Sequence, residues 1–415
     1  MIKKIIDKLL SLSMLEQLSL NGGNFLFFII SAKIIGPLEF GKFSILWVGA
    51  QIIISISAPW IILPITSKSL SFGNKSIIKS ALKKILFLSL LTPFLLLIYS
   101  YFFKEDIGLI EILMMYILGL FIVLYDAMRF FLVRQRAVLQ SLASNITKWG
   151  IAFVLLFTLR YYIEELHEVI FISLLIATAF SLITQVIYTQ KHYKKLEDTK
   201  QEVKNEMDFS LFHLGISNLT NSILITLLFS KVDLITFGAL QAFRSLINVF
   251  PFVLQFVESH YSAILVNEKR TSFITWKWIV LYFVVCGALI ALFYFKGQFL
   301  INLTYGAAYT QHLPIFIFLF MLVSIQSLSR LLNIQNRLQD KHTVFHFSAG
   351  ALWISTIIFA VLINNTAKVS SETILSIMVI TAVVQFILYL NSIRYKAKLE
   401  PVYDLTVSDP TIANK

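Results

Sequence analysis

Apolar residues occur in this chain in runs too long for strands and too uniform for the helices of a water-soluble core. Twelve runs reach the ~20 residues that a helix needs to cross the hydrocarbon core of a bilayer. They cover about 13–33, 41–65, 82–103, 107–131, 142–160, 167–189, 209–229, 236–258, 274–295, 311–332, 346–364 and 372–392. None alternates with the period of two that marks a membrane barrel strand. The remaining way to satisfy every backbone N–H and C=O group in lipid is the helix. The pattern predicts an all-α integral membrane protein with about 12 transmembrane helices.

One long polar stretch breaks the series. Gln190 to Asp208 reads QKHYKKLEDTKQEVKNEMD, with five lysines balanced by five acids. It has no apolar face wide enough to pack, so it is expected to be a solvated linker. The predicted organisation is an N-terminal six-helix half (1–189), the linker (190–208), a C-terminal six-helix half (209–395) and a tail (396–415).

The halves resemble each other. Asn21, Asn24, Phe40 and Gly41 align on Asn218, Asn221, Phe237 and Gly238 at a constant shift of 197 residues. Arg129, Gln135 and Arg136 align on Arg330, Asn336 and Arg337 at a shift of 201. Six spans is an even number, so both halves share one orientation. They are expected to be pseudo-symmetric about an axis along the membrane normal, around a central cavity.

Composition supports a lipid environment. Hydrophobic residues make up 57% and charged residues 14% of the 415, with a mean hydropathy of +0.79; a soluble domain carries about 25% charged residues. The net charge of +12 would suit nucleic acid in a soluble protein. In a membrane chain it points instead to cytoplasmic loops. Of the 35 Lys and Arg, 27 fall to alternate connections beginning with the N-terminus and seven to the others, with Arg244 counted as the one inside a span. Both termini are therefore expected in the cytoplasm, and no nucleic-acid partner is expected. The single cysteine, Cys286, excludes an internal disulfide. The basic, then apolar N-terminus lacks a small-residue cleavage site and reads as a lead-in to the first span.

Polar residues inside spans are costly and face a partner or a wet cavity. The eighth span carries Gln241, Arg244, Asn248 and Gln255 on one helical face. The first carries Asn21 and Asn24, the second Gln51, and the seventh Asn218 and Asn221. These four stripes obey the repeat and are expected to line a substrate cavity between the halves, with Lys33, Lys42 and Lys231 at its rim. Asp126 and Arg129, three apart in the fourth span, can pair on one face and are candidates for ion coupling or for a structural ion pair. The seven histidines are scattered without ligand spacing, so neither a metal site nor a cofactor is expected. No phosphate-binding GxxxxGK[ST] loop occurs, and the outer connections are too short for a catalytic domain. The chain is not expected to be an enzyme.

Three stretches resemble a known family. They are AKIIGPLEFGKFSILWVGAQII (Ala32–Ile53), VDLITFGALQAFRSLINVF (Val232–Phe250) and LTYGAAYTQHLPIFIFL (Leu303–Leu319). They look like the first-loop signature, the region of spans 7 and 8, and the lead into span 10 of Wzx-type polysaccharide flippases. Those belong to the multidrug/oligosaccharidyl-lipid/polysaccharide (MOP) exporter superfamily, whose members share the motifs loosely. The resemblance implies a MATE-like fold in the bacterial inner membrane. It implies alternating-access translocation of an undecaprenyl-pyrophosphate-linked oligosaccharide, with membrane lipids and the polysaccharide polymerase machinery as partners. The alternative is a cation-coupled multidrug antiporter of the same superfamily, which would need more intramembrane acids than Asp126.

Overall fold

The computed structural model describes residues 12–57, 61, 75–102, 107–134, 137–193, 233–247, 276–338 and 370–394. Within them the chain is helical: α1 (Leu12–Ser57), α2 (Lys75–Phe102), α3 (Leu109–Arg134), α4 (Val138–Leu159), α5 (Leu166–Tyr193), α6 (Leu234–Ile247), α7 (Trp276–Tyr305), a 3-10 turn (Ala307–His312), α8 (Leu313–Leu338) and α9 (Ser371–Arg394). Among the described residues eight helices, α1 counted once, are long and apolar enough to cross a membrane, and α6 is a shorter apolar helix. The expected spans 209–229 and 346–364, the linker beyond Tyr193 and the tail lie outside the described residues.

The first two expected spans form one element, α1, folded back on itself. Gly36 has φ 79 and ψ 171, which breaks the helix, and Pro37 follows it. Glycine tolerates the positive φ, and proline's fixed φ and missing N–H suit the start of the second arm. The reversal shows in the packing. Phe28 and Trp47, 19 residues apart, would be about 28 Å apart along an unbroken helix; their rings lie 5.2 Å apart.

α7 departs from expectation in its length. It runs ten residues past the expected end at 295 and stops only at Tyr305, before Gly306 with φ 96. Lys296, expected in a connection, lies inside this helix.

Apolar residues face outward in a manner only lipid permits. On α2, Leu86, Leu90, Phe94 and Ile98 recur every four residues and are exposed, while Leu88, Thr92, Leu96 and Tyr99 are buried. Lipid tails are as apolar as leucine, so these helices associate through close packing and hydrogen bonds rather than expulsion of water. Small residues serve that packing: Gly23 lies beneath Trp149 and Gly49 beneath Met115 and Tyr99. The Tyr99 hydroxyl donates to the Ile45 carbonyl at 2.9 Å.

α1 is the centre of the bundle. It packs against α2, α3, α4 and α5 of its own half, and its most extensive contact is with α6. The end carrying Gly36 also holds the start of α5, the start of α6 and the α7–α8 turn. There the Tyr309 hydroxyl donates to the Ala32 carbonyl at 2.9 Å, and the Tyr305 hydroxyl donates to the Ala242 carbonyl at 2.7 Å. Phe243 sits edge-on to Tyr305, Tyr309 and Phe316. One buried apolar cluster thus runs from Phe27 and Phe40 in the first half to Phe243 and Tyr309 in the second.

Candidate functional site

Two polar loci lie within the membrane helices. The first is a buried ionic cluster at the end of the first half opposite Gly36. The Arg129 Nε stands 3.0 Å from Glu16 Oε1, and both side chains are almost wholly buried. The N–H is not aimed along that line, so the contact is an ion pair rather than a directed hydrogen bond. Arg129 Nη1 lies 3.8 Å from Asp126 Oδ1. The expected Asp126–Arg129 pair exists, but Glu16 is the closer partner.

Hydrogen bonds from α4 complete the shell around Glu16. Ser141 Oγ donates to Glu16 Oε1 at 2.7 Å. Asn145 Nδ2 lies 3.0 Å from both Glu16 Oε1 and the Glu16 carbonyl. The Tyr125 hydroxyl donates in turn to Asn145 Oδ1. Lys148 extends the cluster inward, its Nζ 4.6 Å from the Tyr125 ring centre and 5.0 Å from that of Trp149. Two carboxylates and two cations thus offset one another, which is what makes burial of ionised groups tolerable.

Helical spacing builds this locus. Glu16, Ser19, Gly23 and Phe27 recur at three and four residues, so they share a face. That face meets α4: Ser19 Oγ accepts from Asn145, and Phe27 packs on Trp149. Ser144 and Ser181 tie α4 to α5, with their hydroxyls 2.8 Å apart. One turn further along α5, Gln185 is fully buried, and neither its Nε2 nor its Oε1 has a partner among the described residues.

The second locus is the expected stripe on α6. Gln241 and Arg244 are half-buried. The Gln241 Nε2 is buried without a hydrogen-bond partner among the described residues. The stripe starts one turn from Gly238, whose backbone abuts Pro37 and Gly41 of α1. It therefore borders the contact between the two halves. On α1, Asn21 and Asn24 are half-buried, as is Gln51 on the second arm. The Gln17–Asn21–Asn24 face continues into Phe28, which packs on Phe43 and Trp47, so this face turns towards the second arm. No hydrogen bond among the described residues joins Asn21, Asn24, Gln51, Gln241 and Arg244. Asn218, Asn221, Lys231, Asn248 and Gln255 lie outside the described residues.

The two described rim lysines are engaged. Lys33 Nζ donates to the Leu303 carbonyl at 2.9 Å in the last turn of α7, where a cation also complements the helix dipole. Lys42 Nζ lies 2.9 Å from Glu39 Oε1 and 3.8 Å from Glu165 Oε2.

Glu16, Tyr125, Ser141, Asn145 and Lys148 are not among the residues singled out from the sequence. Arg244 is also not the only cation inside a helix: Lys148 is ten residues into α4, and Arg129 is buried in α3. A signal was available. Glu16 and Lys148 fall within the expected spans 13–33 and 142–160, and an ionisable residue inside a span marks a site to examine.

No protein-family model matches the chain, and no curated protein matches it. Among solved structures, it is similar to one described as the inward-facing conformation of a multidrug resistance MATE family transporter of the MOP superfamily. The TM-score is 0.48, with 12% identity over 92% of this chain and 94% of the other.

Proposed function

We propose that this chain is a multi-pass membrane transporter whose substrate carries an anionic headgroup, and that the substrate is an undecaprenyl-pyrophosphate-linked oligosaccharide. One observation carries this reading. Arg244 lies in α6, an apolar helix of 14 described residues at the border between the halves, and no carboxylate faces it among the described residues. The buried Arg129 of the first locus, by contrast, stands beside Glu16 and Asp126. A guanidinium that no carboxylate faces among the described residues suits a bidentate anionic ligand such as a pyrophosphate. The Gln241 Nε2 beside it, without a partner among the described residues, suits a sugar hydroxyl. A polyprenyl tail can remain in the bilayer while the headgroup crosses between the halves by alternating access.

The Glu16–Arg129–Asp126 cluster is the proposed coupling element. Glu16 comes from α1, Asp126 and Arg129 from α3, and α4 bonds to Glu16 through Ser141 and Asn145, so a change in protonation or ion occupancy there would alter how α1 packs on α3 and α4. The same carboxylates favour the second reading, a cation-coupled multidrug antiporter, since such a protein needs buried acids.

The test is complementation of a strain lacking its polysaccharide flippase. Arg244→Ala should insert and accumulate normally but abolish surface polysaccharide. Arg244→Lys should retain part of the activity, because the charge survives while the planar fork is lost. Asn248→Leu should be milder than Arg244→Ala. Wild-type polysaccharide from a normally expressed Arg244→Ala would remove the anion-binding role. Drug resistance without polysaccharide would favour the antiporter.

A further inference from the structure

The Gly36 end of the bundle holds a second group of titratable side chains, separate from both loci above. Glu39 follows Pro37 in the first turn of α1's second arm. Glu165 and His167 flank the start of α5, more than 120 residues away in sequence. His167 Nδ1 lies 2.7 Å from Glu39 Oε2 and 3.5 Å from Glu165 Oε2. The backbone N–H of His167 also reaches Glu39 Oε2, at 3.4 Å. The three donor atoms all fall within 4.8 Å of one another.

We propose that Glu39, Glu165 and His167 form a binding site for a first-row divalent cation of the zinc type. An imidazole with two carboxylates is a donor set that zinc accepts, leaving the fourth tetrahedral position to water. Zinc bonds of 2.0–2.2 Å place neighbouring donors roughly 3.4 Å apart in a tetrahedron. The His167–Glu165 spacing of 3.5 Å already meets this. The His167–Glu39 spacing of 2.7 Å needs to open by less than an ångström, within reach of a side-chain adjustment. Glu165 is the most exposed of the three, at 58%, and so provides the entry path.

Lys42 decides how the site behaves. Its ammonium lies 2.9 Å from Glu39 Oε1 and 3.8 Å from Glu165 Oε2. It therefore leaves Glu39 Oε2 to the imidazole and holds the carboxylates together. With a neutral imidazole, two carboxylates against one ammonium leave a net negative charge. A divalent cation binds in competition with this lysine. Once bound, it would pin the α1 turn to the start of α5, next to the point where Gly41 abuts α6. The inference is independent of which substrate is transported.

The experiment uses tag-free, full-length protein in nanodiscs, titrated with ZnCl2 by calorimetry and with CoCl2 by visible absorbance. The wild type should bind one metal per chain, with a cobalt band characteristic of imidazole and carboxylate ligation. His167→Ala and Glu165→Gln should each weaken binding by about tenfold or more, the scale on which disturbing a metal site lowers affinity. Lys42→Met should tighten binding by about tenfold, because a like charge leaves the site; a mere surface ion-pair network has no such response. Glu165 is exposed, so its variant tests the site even where His167→Ala fails to fold. Unchanged affinity in Glu165→Gln and Lys42→Met would overturn the proposal by moving any binding to the other histidines. Absence of saturable binding to the wild type would overturn it outright.

Discussion

Gly41 and Gly238 meet backbone to backbone where α1 crosses α6. A Cβ on Gly41 would stand 3.4 Å from the Gly238 nitrogen, and one on Gly238 would stand 2.8 Å from the Gly41 nitrogen and overlap the Pro37 carbonyl oxygen. The contact is reciprocal, and the two positions are the ones that align at a shift of 197 in the sequence. Reciprocal contact between equivalent positions is what a two-fold relation between the halves would give.

Adding a methyl group here should force α1 and α6 apart. Gly238→Ala should destabilise the protein by about 1–3 kcal/mol, the usual scale of overpacking. The obstacle is backbone, which cannot rotate away. Gly22→Ala is the control, because nothing lies within 4 Å of its added Cβ and alanine favours a helix by about 1 kcal/mol over glycine. Thermal unfolding in detergent should show a lower Tm for Gly238→Ala and an equal or higher Tm for Gly22→Ala. Equal values would mean that the halves separate at this point without cost.

The Glu16–Arg129 pair should show strong coupling. Removing one partner of a buried pair leaves an uncompensated charge, at a cost of about 3–5 kcal/mol where no other partner stands in. Asp126 at 3.8 Å should soften the loss in Glu16→Gln. Arg129→Met leaves the buried Glu16 and the half-buried Asp126 without their guanidinium and should be the more damaging change. The double variant should then be less destabilised than the two single losses summed, by about 1 kcal/mol or more. A double-mutant cycle on unfolding measures this; simple additivity would show that the pair is not an energetic unit.

Tyr309 and Lys33 both bridge the halves, but in different surroundings. The Tyr309 hydroxyl bonds Ala32 in a fully buried position, so Tyr309→Phe should cost about 1 kcal/mol. The Lys33 bond to Leu303 is exposed, so Lys33→Met should stay within about 0.5 kcal/mol, as surface substitutions usually do. Unfolding of the two variants side by side tests the ranking, and a larger effect from Lys33 would reverse it.

Orientation is open to reporter fusions. Fusions at Lys75, Arg136, Lys200, Lys269 and Lys341 should report the cytoplasm, and those at Glu105, Glu164 and Lys368 the outer side. The structure moves one fusion point. Lys296 lies inside α7, so Thr310, in the turn before α8, replaces it. Two consecutive connections reporting the opposite side would break the twelve-span scheme. The bias behind this prediction survives the removal of Arg129 and Lys148 from the loop tally.

Much of the architecture was legible in the chain alone, because transfer into lipid depends on composition summed over about 20 residues. That sum located the eight long apolar helices among the described residues, with α1 read as two spans, whatever their neighbours. The Gly36–Pro37 step was likewise legible as a break between two runs, since backbone freedom and proline's missing N–H are properties of single residues. The length of α7 was not, because Lys296 interrupts an apolar run that continues on the far side. A lysine's long stem can lie along lipid while its charged head reaches out.

Pairwise chemistry was decided only by the tertiary structure. Glu16 gains its meaning from Arg129 and Asn145, more than 100 residues away, and an average over a window conceals a single charge. His167 looks isolated in the sequence because Glu39 reaches it only after α1 folds back. Gly41 and Gly238 could be aligned from the sequence, but only the fold shows that they touch. Hydrophobicity is additive along a chain and can be read locally. Charge compensation, ligand geometry and steric contact depend on distances in space, which the sequence sets only through the completed fold.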